Sequence, residues 1–139
     1  MATLHQQIGQ WLGIAVPKSD QQVLDIVEGQ LPTSSIKRLL ALGISRLEID
    51  QQVIPLRTLQ HRRSRREKLT VDESDRVLRM TRLLSQAESV YGSRERALAW
   101  LRRANPRLRN RTPLEMAKTD TGSRIVEELL VQIDEGMFI

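Results

Sequence analysis

Apolar residues recur along this chain at three- and four-residue steps, in short runs divided by Gly, Pro and Ser/Thr. That is the spacing of one buried stripe on a helix. The first run is Ile8, Trp11, Leu12 and Ile14, broken at Gly13 and Pro17, with Trp11 a packing residue. Ser19-Asp20 opens a second helix through Val23, Leu24, Ile26 and Val27, ended by Gly29. Thr33, Ser34 and Ser35 start a third, with Ile36, Leu39 and Leu40 inward and Gly43 as its stop. Ser45 caps a fourth that carries Leu47 and Ile49, and after a joint at Val53-Ile54 a fifth begins at Pro55 with Leu56 and Leu59 inward.

The longest run opens at a capping box, Thr70-Val71-Asp72-Glu73, in which the Thr hydroxyl and the Glu carboxylate each satisfy one otherwise unpaired amide. Val77, Met80, Leu84, Ala87 and Tyr91, widened by Leu83 and Val90, carry the stripe to Gly92. So broad a stripe on a long helix serves as a dimer seam or as a spine between two subdomains. Ser93 caps the next helix, with Ala97, Leu98, Leu101 and Ala104 inward, up to Asn105-Pro106; Trp100 packs beneath the C-terminal helices. Thr112-Pro113-Leu114-Glu115 is another capping box, with proline at the first helical position where no amide is needed. Asp120-Thr121-Gly122 opens the last helix, whose stripe is Ile125, Val126, Leu129, Leu130 and Ile133, stopped by Gly136. Met137-Phe138-Ile139 then forms an apolar tail expected to be buried, in this chain or in a partner.

Composition narrows this to an all-α fold. Hydrophobic residues make up 40% of the 139 but aromatics only 3%, so the core is aliphatic, and seven Gly with five Pro leave room for little besides helix. Without cysteine there is no disulfide or thiolate metal site. No apolar run approaches the roughly 20 residues of a membrane span, and the N-terminus lacks the pattern of a signal peptide, so a cytoplasmic location without membrane contact is expected.

Charge changes the picture more. The net +5 is concentrated in residues 34–68, which hold nine Lys and Arg against three acids. A localised basic face points to a polyanionic partner, and the plain alternative is a solvated face. Two short helices with a tight joint, the second basic, have the organisation of a helix-turn-helix. On that second helix Arg57, Thr58, Gln60, His61 and Arg62 face outward with side chains suited to base edges, and Arg63, Arg65, Arg66 and Lys68 continue toward phosphates. Arg76, Arg79 and Arg82 either extend the basic face or pair with Asp72 and Asp75. Arg107, Arg109 and Arg111 read as a solvated loop.

Catalytic chemistry has little to stand on. His5 and His61 are the two histidines, and no phosphate loop, paired metal ligands or nucleophile motif accompanies them. The carboxylates Asp72, Glu73 and Asp75 crowd a helix's first turn, where the helix dipole favours them. A binding protein without cofactor or metal is expected.

Two resemblances sharpen this. Trp100-Leu101, Asn105-Pro106, Leu108, Thr112-Pro113-Leu114, Thr119-Asp120-Thr121-Gly122, Val126, Leu130, Ile133 and Glu135-Gly136, in that order, resemble the toxin-binding domain of the Xre/MbcA/ParS antitoxins. Leu42-Gly43-Ile44-Ser45, Arg57-Thr58-Leu59, Arg62-Arg63, Leu69-Thr70 and Glu73-Ser74-Asp75-Arg76 resemble the Xre-like helix-turn-helix that precedes it, although the joint Gln52-Val53-Ile54-Pro55 lacks the glycine common in such turns.

The resemblance implies an N-terminal helical segment (1–33), a helix-turn-helix region with its long connecting helix (34–92) and a small helical toxin-binding domain (93–139). It implies a homodimeric antitoxin that binds operator DNA, represses its own operon and covers the active site of a RES-domain toxin, a family that degrades NAD. Gly136, Met137, Phe138 and Ile139 would enter the toxin's cleft, with Arg124, Glu127, Glu128 and Asp134 setting the register. The alternative is a stand-alone dimeric regulator whose tail packs on its own core.

Overall fold

The computed structural model describes residues 2–137, and among these every named element is helical. Contacts divide the chain into two compact units, 1–81 and 82–139.

The first unit contains α1 (Leu4–Leu12), α2 (Asp20–Glu28), α3 (Ser34–Ala41), α4 (Arg46–Gln52), α5 (Leu56–Ser64) and the first half of α6 (Val71–Tyr91). The helix starts follow their caps. Ser19 takes the Gln22 amide, Ser45 and Glu48 complete a capping box, and so do Thr3 and Gln6, which sequence reading passed over. α1 stops at Gly13, which adopts the left-handed conformation with φ 67°; the Arg38 guanidinium of α3 lies directly over it.

The core of this unit is aliphatic, with Ile8, Leu31, Ile36, Leu39, Ile44, Ile49, Ile54 and Leu69 among its fully buried side chains. The Leu31 amide donates to Ser74 Oγ on α6 at 2.8 Å, and the Leu69 amide donates to the Leu31 carbonyl at 2.9 Å, so the N-terminal segment is fastened to the start of α6. Two stripes are narrower than expected. Leu24 is exposed and Val27 alone is buried on α2, while on α4 Ile49 is buried and Leu47 is 63% exposed. A two-turn helix has room to cover only one row of side chains.

The second unit takes the rest of α6, then α7 (Arg94–Leu101), a 3₁₀ turn (Pro106–Leu108), α8 (Pro113–Met116) and α9 (Asp120–Asp134). α7 ends at Leu101, three residues short of the expected Ala104, which is exposed. The intervening chain is closed on itself instead. The Asn105 amide donates to the Arg111 carbonyl, and its own carbonyl accepts from Leu108 and Asn110.

Thr112 takes the Glu115 amide, the forward half of the expected box, and α9 opens at Asp120 as expected, capped by Thr119, which accepts from Gly122. Buried on α9 are Val126, Leu129 and Leu130; Ile125 is exposed. Tyr91 and Trp100 pack with ring centroids 5.7 Å apart. On α6 itself Val77, Leu78, Met80, Leu83, Leu84 and Ala87 are all buried.

Candidate functional surfaces

The α4–α5 pair is built without a glycine because its joint needs no left-handed residue. Val53 has φ −116° and Pro55 φ −55°, both open to ordinary side chains. Val53 and Ile54 are buried and anchor the joint, and their amides both donate to the Ile49 carbonyl. Proline at the cap cannot take the first amide of α5. Asp50 does so from α4, its Oδ1 accepting from Leu56 at 2.8 Å. Sequence reading missed this contact, because the acceptor lies six residues before the amide it serves.

α5 buries one residue, Leu59. Around it Arg57, Gln60, His61 and Arg63 are exposed and Thr58 is half-buried; Arg65 and Arg66 follow, exposed, just beyond the helix. Arg46, at the start of α4, shares a groove with Arg57, Gln60 and Arg63 over an apolar floor that includes Ile49 and Leu59. Its place directly after the Ser45 cap was the signal that sequence reading passed over. Four guanidinium or amide groups on one surface can contact phosphates and base edges.

Arg62 is placed differently from its neighbours. Its Nε and Nη2 donate to the two carboxylate oxygens of Glu73, each at 3.1 Å. Glu73 is only 6% exposed, and its Oε1 also accepts the Thr70 amide at 2.8 Å, so the box that starts α6 is the same group that holds α5. Burial would raise the Glu73 pKa. The hydrogen bonds from Arg62 and Thr70, with Arg62's charge, outweigh it and bring the carboxyl below its ordinary value. Arg62 is raised in turn, first by the hydrogen bond to Glu73. Of the nine residues expected to meet DNA, Arg62 is therefore engaged inside the domain, and Lys68 reaches the Gly29 carbonyl at 3.5 Å.

Nor do the arginines of α6 extend the basic face. Arg76 donates to the Val53 carbonyl at 3.0 Å, Arg79 pairs with Asp75 at 2.9 Å, and Arg82 pairs with Glu127 at 3.3 Å.

In the second unit, the residues expected to meet a partner divide in the same way. Glu127 turns toward α6, paired with Arg82 while its carbonyl accepts from Gln86 at 2.9 Å. Arg124 is exposed and makes an i,i+4 pair with Asp120 at 2.8 Å. Glu128, Asp134, Gly136 and Met137 are exposed, Met137 to 61%. Phe138 and Ile139 lie outside the described residues.

Two features were not expected. Ile125, Glu128 and Gln132 share a face of α9 and, with Arg107 and Leu108, line a shallow groove. Residues 100–111 carry five arginines and no acid, whereas 112–139 carry two bases against six acids. Taken together these stretches nearly cancel, yet in sequence they give the domain two stretches of opposite charge. Among the described residues no cluster of His, Asp or Glu fits a metal ion, and no helix is long and apolar enough to cross a membrane.

Two domain families of known proteins match successive parts of the chain. The antitoxin Xre-like helix-turn-helix domain matches residues 22–82, and the antitoxin Xre/MbcA/ParS C-terminal toxin-binding domain matches residues 86–136. An antitoxin Xre of Pseudomonas putida is 46% identical over 85 residues, 61% of this chain but 54% of that relative, so the match spans about half of the relative's length. An antitoxin Xre of Yersinia enterocolitica is 29% identical over 132 residues, covering 92% of this chain and 89% of the relative. A Prs ADP-ribosylating antitoxin of a Sphingobium species is 25% identical over 130 residues, 83% of this chain and 79% of the relative.

Proposed function

This chain belongs to the Xre/MbcA/ParS antitoxin family, and on that premise we propose that it neutralises a RES-domain, NAD-degrading toxin through residues 86–136 and the following tail, and represses its own operon through α4 and α5. The observation that carries this reading is the tandem of two domains, each with one uncovered face of suitable chemistry. The first presents Arg46, Arg57, Gln60 and Arg63 together. The second presents Ile125 with Glu128 and Gln132, and beyond α9 the exposed Met137.

On this reading Met137 with Phe138 and Ile139 enters the toxin's cleft, and Arg124, Glu128 and Asp134 lie around it. Glu127 holds α9 to α6 and acts from behind that surface. Arg57, Thr58, Gln60 and His61 meet base edges, with Arg63, Arg65 and Arg66 on phosphates; the operator-bound form is a homodimer. The name of the Sphingobium relative, which joins an antitoxin to ADP-ribosylation, supports a toxin that consumes NAD.

The test is co-expression with the protein encoded beside this chain, followed by pull-down and measurement of cellular NAD. A stable complex is expected, with NAD lost when this chain is absent or lacks residues 137–139. Free ADP-ribose as the product supports NAD degradation, and ADP-ribose attached to protein would replace it with transfer. No complex and unchanged NAD would move the chain to the stand-alone regulator, its affinity for promoter DNA then being the remaining activity.

A further inference from the structure

α5 is held by very little apolar packing. Leu59 is its single buried residue, and a helix anchored at one point can swing about it. Besides the Asp50 contact at its first amide, two polar contacts restrain that motion, and both come from consecutive turns of α6. Glu73 grips Arg62 in the last third of α5 through a two-nitrogen, two-oxygen fork, 3.1 Å on each arm. Arg76, three residues along and on the same side of α6, donates to the Val53 carbonyl in the joint before α5, at 3.0 Å. One clamp sits at each end of the basic helix. Their base is itself fixed, because Glu73 Oε1 takes the Thr70 amide and Ser74 Oγ takes the Leu31 amide.

We infer that Glu73 and Arg76 are positioning residues for DNA recognition, which set the aim of α5, and that Arg62 serves this clamp and does not touch DNA. This rests on the DNA-binding reading above. A fork between a planar guanidinium and a carboxylate fixes orientation as well as distance, which a single hydrogen bond does not. The sign of the charge is informative too. A carboxylate close to a DNA-binding surface repels phosphates, so on electrostatic grounds alone its neutralisation would tighten binding.

The decisive variant is Glu73→Gln in the full chain, since Gln at this position still completes a capping box. Two measurements are made: affinity for its own promoter fragment across a range of salt, and amide hydrogen exchange over residues 53–64. E73Q is expected to bind roughly tenfold more weakly, within the span seen for coupled pairs, with faster exchange along α5 and normal exchange in α6. Arg76→Met is expected to do the same. Arg63→Gln, a phosphate contact, should instead lower the salt slope by about one and leave exchange unchanged.

Equal or tighter DNA binding by E73Q with unchanged exchange in α5 would overturn the inference. If the unaltered chain fails to bind DNA, the DNA-binding reading falls, and the exchange data alone then decide the clamp: faster exchange upholds it and unchanged exchange refutes it. If E73Q does not fold, Arg62→Lys takes its place. It keeps the charge and loses the fork, so weaker binding at an unaltered salt slope supports positioning and unaltered affinity refutes it.

Discussion

Gly122 occupies a place where no side chain fits. A Cβ there would run into the carbonyl oxygen of Met116 and stand 2.8 Å from its carbon, and backbone cannot swing aside as a flexible side chain can. This close approach lets Thr119 cap α9 through the Gly122 amide while α8 ends directly against it. Gly122→Ala is expected to lower the stability of the second unit by about 2–3 kcal/mol, read as an earlier thermal transition with the promoter affinity of the first unit retained. Glu73 has the opposite character, being buried, charged and paired. Because its folded-state pKa lies below the ordinary value, its contribution is complete at neutral pH and is lost as pH falls through that depressed value. Stability measured from pH 7 down to about 3 should therefore decline less steeply in E73Q than in the natural chain, starting about 1–2 kcal/mol lower at pH 7.

Among the elements, α5 is the one whose start depends on a group outside it. Asp50→Ala removes the acceptor for the Leu56 amide and should cost about 1 kcal/mol, whereas Asp50→Asn keeps an acceptor and should fall within a few tenths of the natural chain; chemical denaturation would separate the two. The ordinary helix starts were legible in the sequence, because a cap acts within three residues. Ser19, Ser45, Thr70, Ser93 and Thr112 all cap as their spacing predicts, and α9 opens at Asp120 as its pattern predicts. Which face of a stripe ends up covered was less legible. Leu47 and Ile125 keep the periodicity of the core yet remain exposed, because periodicity shows which residues share a face and not whether a neighbour reaches it. The partners of Arg62 and Glu127 were the least legible of all. They lie 11 and 45 residues away, and only the folded chain brings them together. The glycine-free joint looked irregular in sequence for a related reason. Its backbone angles are ordinary, and buried Val53 and Ile54 supply the anchorage.

Taken whole, the molecule is basic in a graded way. The exposed arginines attributed to phosphate contact in the first unit are Arg63, Arg65 and Arg66. Three such contacts predict a salt slope of about −2.7 per bound chain on duplex DNA, measurable by titrating promoter affinity between low and physiological salt. A slope near zero would assign α5 to protein contact. The second unit, with its arginines before residue 112 and most of its acids after, should contribute little to that slope.

The closed loop from Asn105 to Arg111 has a bearing on how this chain is cut. It offers Arg107, Arg109 and Arg111 to a trypsin-like protease, shortly after Arg102 and Arg103. Such an enzyme must draw its substrate out into an extended strand. This loop is tied by the bonds of Asn105, holds Arg109 and Asn110 at φ 57° and 62°, and buries Leu108 beneath. Cleavage must then wait for the loop to open, and its rate follows the population of that opened form. Lys18 lies exposed in the short segment between α1 and α2, its amide donating to Gln22 Oε1 at 2.7 Å, a side-chain bond that a protease displaces more readily than a closed backbone loop. In limited digestion the first tryptic fragment should start at Ser19, with the arginine-rich loop outlasting a site that has one basic residue to offer.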